Sequence, residues 1–208
     1  MPRADFKSRS QLPQLLNDLG LLGVGVEVGV QRGVFGSHVR GAWNGKLYVG
    51  VDPWVPYNTE VTAEQHEQYR RDAIVHLDGT HKNYSLIRLP SLAGAKLFAD
   101  GSLDWVFLDG DHDYPAVLDD IKAWLPKVKT GGVLAGHDFV PDGWHRNGDP
   151  VTGYATAEEA KIAHGHCGPF FVIKAVAEAF GDGAPDARQV FVTDPSEDDG
   201  WRSWMVIV

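Results

Sequence analysis

The chain has 208 residues, 43% hydrophobic and 23% charged, with a net charge of -9. That length suits one well-packed domain spanning residues 1–208, and the charge argues against a nucleic-acid partner, because phosphate binding needs a field of the opposite sign. A single cysteine, Cys167, excludes an internal disulfide, and no apolar run approaches the ~18 residues of a membrane span, so a cytoplasmic protein with no membrane partner is expected.

Residues 1–9 are polar and read as a loose terminus. Ser10 then suits the cap of a helix whose Leu12, Leu15, Leu16 and Leu19 share one stripe and which Gly20 ends. Val24 to Val28 predicts a strand, and Gly29 and Gly33 fall in the turn leading to a helix at Ser37. Glycines at such a turn let backbone approach a ligand, and the helix start offers amides to an anion. Leu47 to Val51 predicts a second strand ending in Asp52, placed as an acid that takes a ribose diol would be.

Residues 53–61 form a Pro-containing loop, and Thr62 with Gln65 predicts a capping box for a helix through Leu77. The stretch 53–84 is longer than the connection requires, which is consistent with a lid or a covering helix. Leu86 to Leu89 reads as a third strand. Ser91 follows it, placed either to border an adenine or to cap a short helix over Leu92 to Phe98.

The most informative stretch runs from Asp104 to Asp138. Trp105 to Leu108 is apolar without alternation, as in a parallel strand buried on both faces, and it runs into Asp109, Gly110, Asp111 and His112. Pro115, then Val117, Leu118, Ile121, Trp124 and Leu125 at helical spacing, and finally Pro126 predict a helix. Val133 to Ala135 reads as the next strand and ends in Gly136, His137 and Asp138. A right-handed strand-helix-strand unit gathers Asp109, Asp111, His112, His137 and Asp138 at the carboxyl edge of the sheet, where open α/β sheets bind ligands. Asp111 also suits a helix cap, and Asp104 and Asp113 read as surface residues.

Residues 139–168 carry Trp144, His145, Asp149, His164, His166 and Cys167 in a glycine-rich setting, a length expected of a loop that closes over a substrate. Pro169 to Phe180 predicts a helix. Gln189 to Thr193 and Ser203 to Val208 predict two last strands around the turn Asp194 to Gly200, suited to an antiparallel edge.

Glu27, Gly29, Gly33, Asp52 and the strand-end cluster together resemble the class I S-adenosylmethionine-dependent methyltransferases. More narrowly, Val49 to Trp54, Phe107 to Tyr114, Gly131 to Phe139 and Val172 to Phe180 resemble methyltransferase family 24, relatives of the metal-dependent sugar and catechol O-methyltransferases. The resemblance implies a Rossmann-like α/β fold with a mostly parallel seven-stranded sheet, an antiparallel edge strand and helices on both faces. It implies cofactor binding by Glu27, Gly29, Gly33, Asp52, Ser91 and Asp109, and catalysis by His112, Asp109 and His137. It also implies a divalent metal, magnesium or manganese, on Asp109, His137 and Asp138, and a small hydroxylated acceptor.

His137 departs from the carboxylate or amide of catechol-type relatives, which leaves the metal's identity open and equally leaves His112 or His137 as a metal-free general base. A nicotinamide-dependent oxidoreductase is the competing enzyme reading, although Gly29 to Gly33 lacks the tight dinucleotide spacing. A cofactor-binding protein without turnover is the non-enzymatic one. Acceptor identity and a homo-oligomeric state are not legible from these residues.

Overall fold

The computed structural model describes residues 6–56, 61–139, 171–194 and 201–208. Seven strands form one sheet in the order β3-β2-β1-β4-β5-β7-β6: β1 (Val24–Val28), β2 (Leu47–Val51), β3 (Tyr84–Ile87), β4 (Leu103–Leu108), β5 (Val128–Gly136), β6 (Phe191–Val192) and β7 (Trp204–Ile207). The first five are parallel to one another. β7 reverses beside β5, and the two-residue β6 pairs antiparallel with β7 at the edge.

Among the described residues six α-helices cover the sheet: α1 (Leu12–Asp18), α2 (Val34–Ala42), α3 (Ala63–Asp78), α4 (Ser91–Ala95), α5 (Tyr114–Trp124) and α6 (Val172–Phe180). The central strands feed two cores by alternation. Val106 and Leu108 of β4 join Val26 and Val28 of β1 in the core under α5 and α6. Trp105 and Phe107 point the other way, into the core shared with Leu12, Leu16, Val39 and Trp43. Burial on both faces is why Trp105 to Leu108 reads as an unbroken apolar run, and each fully buried large side chain contributes roughly 1.5–3 kcal/mol. Gly25 belongs to the same packing, since a Cβ there would lie 1.9 Å from Trp105 Cε2.

Several boundaries differ from the sequence reading. The N-terminal segment is held rather than loose over the residues described: Ser8 and Gln11 form a capping box around a 3-10 turn at Arg9–Gln11, and α1 follows from Leu12. α2 begins three residues before Ser37, because Gly33 at φ +71° already turns the chain into the helix. β3 starts at Tyr84, which pairs with Tyr48, and stops before Leu89 and Pro90. α4 is one short helix that ends at Ala95.

Asp104 and Asp113 are buried, at 4% and 9% exposure, against the expectation of surface positions. Asp104 accepts a hydrogen bond from Gly23 N and pairs with Lys129, so it ties the entry of β1 to β4 and β5 at the rim opposite the site. Asp113 is the cap position of α5, and Asp111 instead closes a local turn by accepting from Asp113 N at 3.0 Å. No helix among the described residues is long and apolar enough to cross a membrane.

Candidate active site

The carboxyl ends of β1, β2, β4 and β5 form the rim on which the chemistry-bearing side chains meet. Three of the four non-glycine residues with positive φ among the described residues lie there: Gln31 after β1, Trp54 after β2 and Asp138 after β5. Left-handed backbone at bulky residues is held only where the surroundings impose it, and such positions concentrate at ligand sites.

The turn after β1 is fixed by contact. Gly29 has φ +87°, and a Cβ would stand 1.9 Å from the carbonyl oxygen of Asp109, so the ends of β1 and β4 approach closely only because Gly29 has no side chain. Gly33 faces α3, where a Cβ would meet Ala73 Cα at 2.9 Å. His76 adds a ring-nitrogen contact of 2.7 Å to the carbonyl of Arg32. The helical part of the 53–84 segment is thus seated directly on this turn.

Asp52 organises the ends of β1 and β2 together. Its carboxylate accepts from Gln31 N at 2.9 Å and from Trp54 N at 2.7 Å, while Trp54 Nε1 donates to Gln31 O at 2.8 Å. Burial raises the Asp52 pKa, outweighing the pull of those backbone N–H groups. Each carboxylate oxygen has a second lone pair, so the arrangement leaves acceptor capacity for a diol.

Glu27 lies on β1 at 2% exposure and accepts from the hydroxyl of Tyr48 on β2. Burial pushes its pKa up to about 8, opposed by the Tyr48 hydrogen bond and helped by the charges of Asp109 and Asp52.

The acidic and imidazole groups predicted from the two strand ends do converge. One ligand atom each from Asp109, His137 and Asp138 lie within 4.8 Å of one another. His137 Nδ1 is 3.2 Å from Asp138 Oδ1 and 3.8 Å from Asp109 Oδ1, and His112 Nε2 is 2.9 Å from Asp138 Oδ2 and 3.6 Å from Asp109 Oδ1. Burial alone would lower the pKa of His112, but the neighbouring carboxylates of Asp138 and Asp109 prevail and push it up to about 10. Burial would likewise raise Asp138, yet His112 and His137 hold its carboxyl well below the usual carboxylate range. A small cavity beneath the cluster is lined by Asp111, His112, Val117, Asp120, His137 and Val172.

Ser91 turns its hydroxyl toward α5, donating to Asp120 Oδ1 at 2.5 Å and accepting from Trp124 Nε1 at 2.9 Å. Burial raises Asp120 to about 6. Sequence reasoning passed over Asp120, Tyr48 and Arg9. Arg9 lies 3.8 Å from Asp109 Oδ2. Nothing local marked any of the three, because their partners lie in distant elements. Trp144, His145, Asp149, His164, His166 and Cys167 lie outside the described residues, as does the loop expected to close over a substrate.

A family model described as a methyltransferase domain, family 24, matches residues 26–139, just over half of the chain. The chain belongs to this methyltransferase family. All the cofactor, catalytic and metal positions expected from the sequence fall inside the matched span, whereas Arg9 falls outside it. No curated protein matches this family member's sequence.

Solved structures share the fold. Cofactor-bound Rv0187 from MTB superposes with a TM-score of 0.63 at 16% identity, covering 96% of this chain and 78% of that one. An O-methyltransferase from Bacillus cereus in complex with SAH gives 0.58 at 16% identity, covering 96% and 80%. The N-methyltransferase NodS from Bradyrhizobium japonicum gives 0.56 at 14% identity, covering 96% and 93%. At such identities the likeness speaks for the methyltransferase fold alone.

Proposed function

We propose that this methyltransferase transfers the methyl group of S-adenosylmethionine to a hydroxyl of a small molecule, a sugar or secondary metabolite, with help from a divalent metal. The observation that carries the reading is the meeting of Asp109, His112, His137 and Asp138 beside the glycine turn after β1. Two structures of similar fold support the donor, being complexes with SAH and, for TomG from Streptomyces achromogenes, with SAM.

The residues present fit the donor. Asp52 keeps acceptor capacity for the ribose hydroxyls, and the start of α2 offers amides to the donor's carboxylate. Ser91 opens α4 beyond β3 with its hydroxyl taken up by Asp120 and Trp124, so it would border the adenine through its backbone rather than its hydroxyl. Displacement at a sulfonium methyl asks the protein mainly for alignment and for an acceptor oxygen relieved of its proton.

The donor set also fits a metal: two carboxylates and an imidazole nitrogen from Asp109, Asp138 and His137. A divalent ion held there lowers the pKa of a hydroxyl and orients it. The imidazole favours manganese or a later first-row ion over magnesium. His112, 2.9 Å from Asp138 Oδ2 and 3.6 Å from Asp109 Oδ1, is placed to orient the acceptor oxygen beside them. Acidic groups around the site leave it suited to a neutral or cationic acceptor rather than a polyanion.

The family assignment favours methyl transfer over hydride transfer. Titration with S-adenosylmethionine and with NAD, followed by turnover on a panel of hydroxyl and amine acceptors with manganese present, tests the proposal. Donor binding with methylation of hydroxyls is the expected result. Binding of NAD alone rejects the reading, methylation confined to amines rejects the hydroxyl acceptor, and tight donor binding without turnover across the panel points to a non-catalytic cofactor protein.

A further inference from the structure

Arg9 reaches the site from outside the family-matched span, on a segment that the rest of the protein holds in place. The capping box of Ser8 and Gln11 sets its turn. A ring nitrogen of His38 on α2 lies 2.9 Å from the carbonyl of Ser10, and Asp194 N donates to the carbonyl of Lys7 at 2.8 Å. The guanidinium lies over the Phe35 ring, 5.3 Å from its centroid, and Phe35 in turn packs on Phe107 of β4 with centroids 4.4 Å apart. Its side chain is only 21% exposed. Arg9 is therefore a positioned group, not a tail residue that drifts past.

Its location has chemical meaning. Phe35 is the second residue of α2, so Arg9 places a full positive charge beside the helix end that already favours anions. On its other side stands Asp109, with Arg9 Nη1 3.8 Å from Oδ2, a charge-to-charge distance rather than a hydrogen bond. A cation and an anion are thus held side by side where β1 turns into α2 and β4 ends. A ligand that complements such a pair carries an ammonium and a carboxylate close together, as an amino-acid group does. A guanidinium has five N–H donors in a planar fork that matches a carboxylate.

We infer that Arg9 binds the carboxylate at the amino-acid end of the methyl donor, while the acidic side of the same rim faces its ammonium. The inference rests on the proposed donor and goes further by assigning that end to a residue supplied by the N-terminal turn.

The test compares two ligands, S-adenosylhomocysteine and 5′-methylthioadenosine, which lacks the amino-acid group. Calorimetric titration is run on the wild-type chain, Arg9→Gln and Arg9→Lys. Losing a charge-assisted contact should weaken S-adenosylhomocysteine binding to Arg9→Gln by ~10- to ~100-fold, leave methylthioadenosine within about twofold, and be partly restored in Arg9→Lys. The methylthioadenosine arm also reports whether the variant is folded. Equal binding of S-adenosylhomocysteine by wild type and Arg9→Gln overturns the inference, and so does an equal loss for both ligands, which would make Arg9 a structural partner of Asp109. Failure of the wild-type chain to bind either ligand rejects the donor reading itself and this inference with it.

Discussion

His112 Nε2 lies 2.9 Å from Asp138 Oδ2, so the turn leaving β4 is joined to the turn leaving β5 by one ion pair at the rim of the sheet. Asp138 enters this pair from left-handed backbone at φ 55° and with 6% exposure. A strained, buried carboxylate facing two imidazoles is a poor investment for stability alone, because desolvating charges offsets much of their attraction. The arrangement makes sense as a preformed site.

Gly29→Ala tests how closely the ends of β1 and β4 must approach. The new Cβ would collide with the Asp109 carbonyl in a backbone region that alanine disfavours. We expect a loss of more than ~2 kcal/mol in urea unfolding, with donor binding lost as Asp109 is displaced. A variant as stable as the wild type would show that the turn relaxes freely.

The buried pair of Glu27 and Tyr48 predicts a pH dependence of stability. Glu27 has a folded pKa of about 8 against an ordinary 4.5, chiefly through burial. Between those values the folded chain keeps a proton that the unfolded chain releases, so this group makes stability fall as pH rises across the window. Glu27→Gln retains an acceptor for Tyr48 but cannot titrate. Its melting temperature should decline less than the wild type's between about pH 5 and pH 8, and parallel curves would remove Glu27 as the cause.

Asp52→Ala should act on stability and binding together. It strips the acceptor from Gln31 N and Trp54 N, a cost of ~1–3 kcal/mol, and removes the carboxylate assigned to the ribose. S-adenosylhomocysteine affinity should fall ~10- to ~100-fold. Undiminished affinity would mean that the carboxylate only shapes the turn.

How far this site was legible depended on whether each residue's partners were local. Trp105 to Leu108 identified itself because a strand buried on both faces must be apolar throughout, and the same logic placed Asp109 and His137 at adjacent strand ends. Asp104 defied the reading because its partners are distant in sequence, Gly23 just before β1 and Lys129 on β5. Ser91 was visible as a polar residue after β3, but its engagement by Asp120 and Trp124 depends on how α5 packs. Arg9 sits in a polar stretch without periodicity, where pattern gives no hint of a partner 100 residues away.

Chelation separates metal assistance from histidine chemistry. EDTA should reduce turnover at least ~10-fold, and manganese should restore it, if Asp109, His137 and Asp138 hold an ion. Chelator-resistant turnover would take proton removal away from a metal and leave it to His137.

The most direct measurement follows radiolabelled methyl transfer from S-adenosylmethionine by Asp138→Ala beside the wild type, with S-adenosylhomocysteine affinity measured on the same samples. If Asp138 belongs to the catalytic site, transfer should fall on the order of 100-fold or more with donor affinity largely kept. Transfer at the wild-type rate would contradict it, because chemistry would then proceed without the carboxylate that joins the two strand ends.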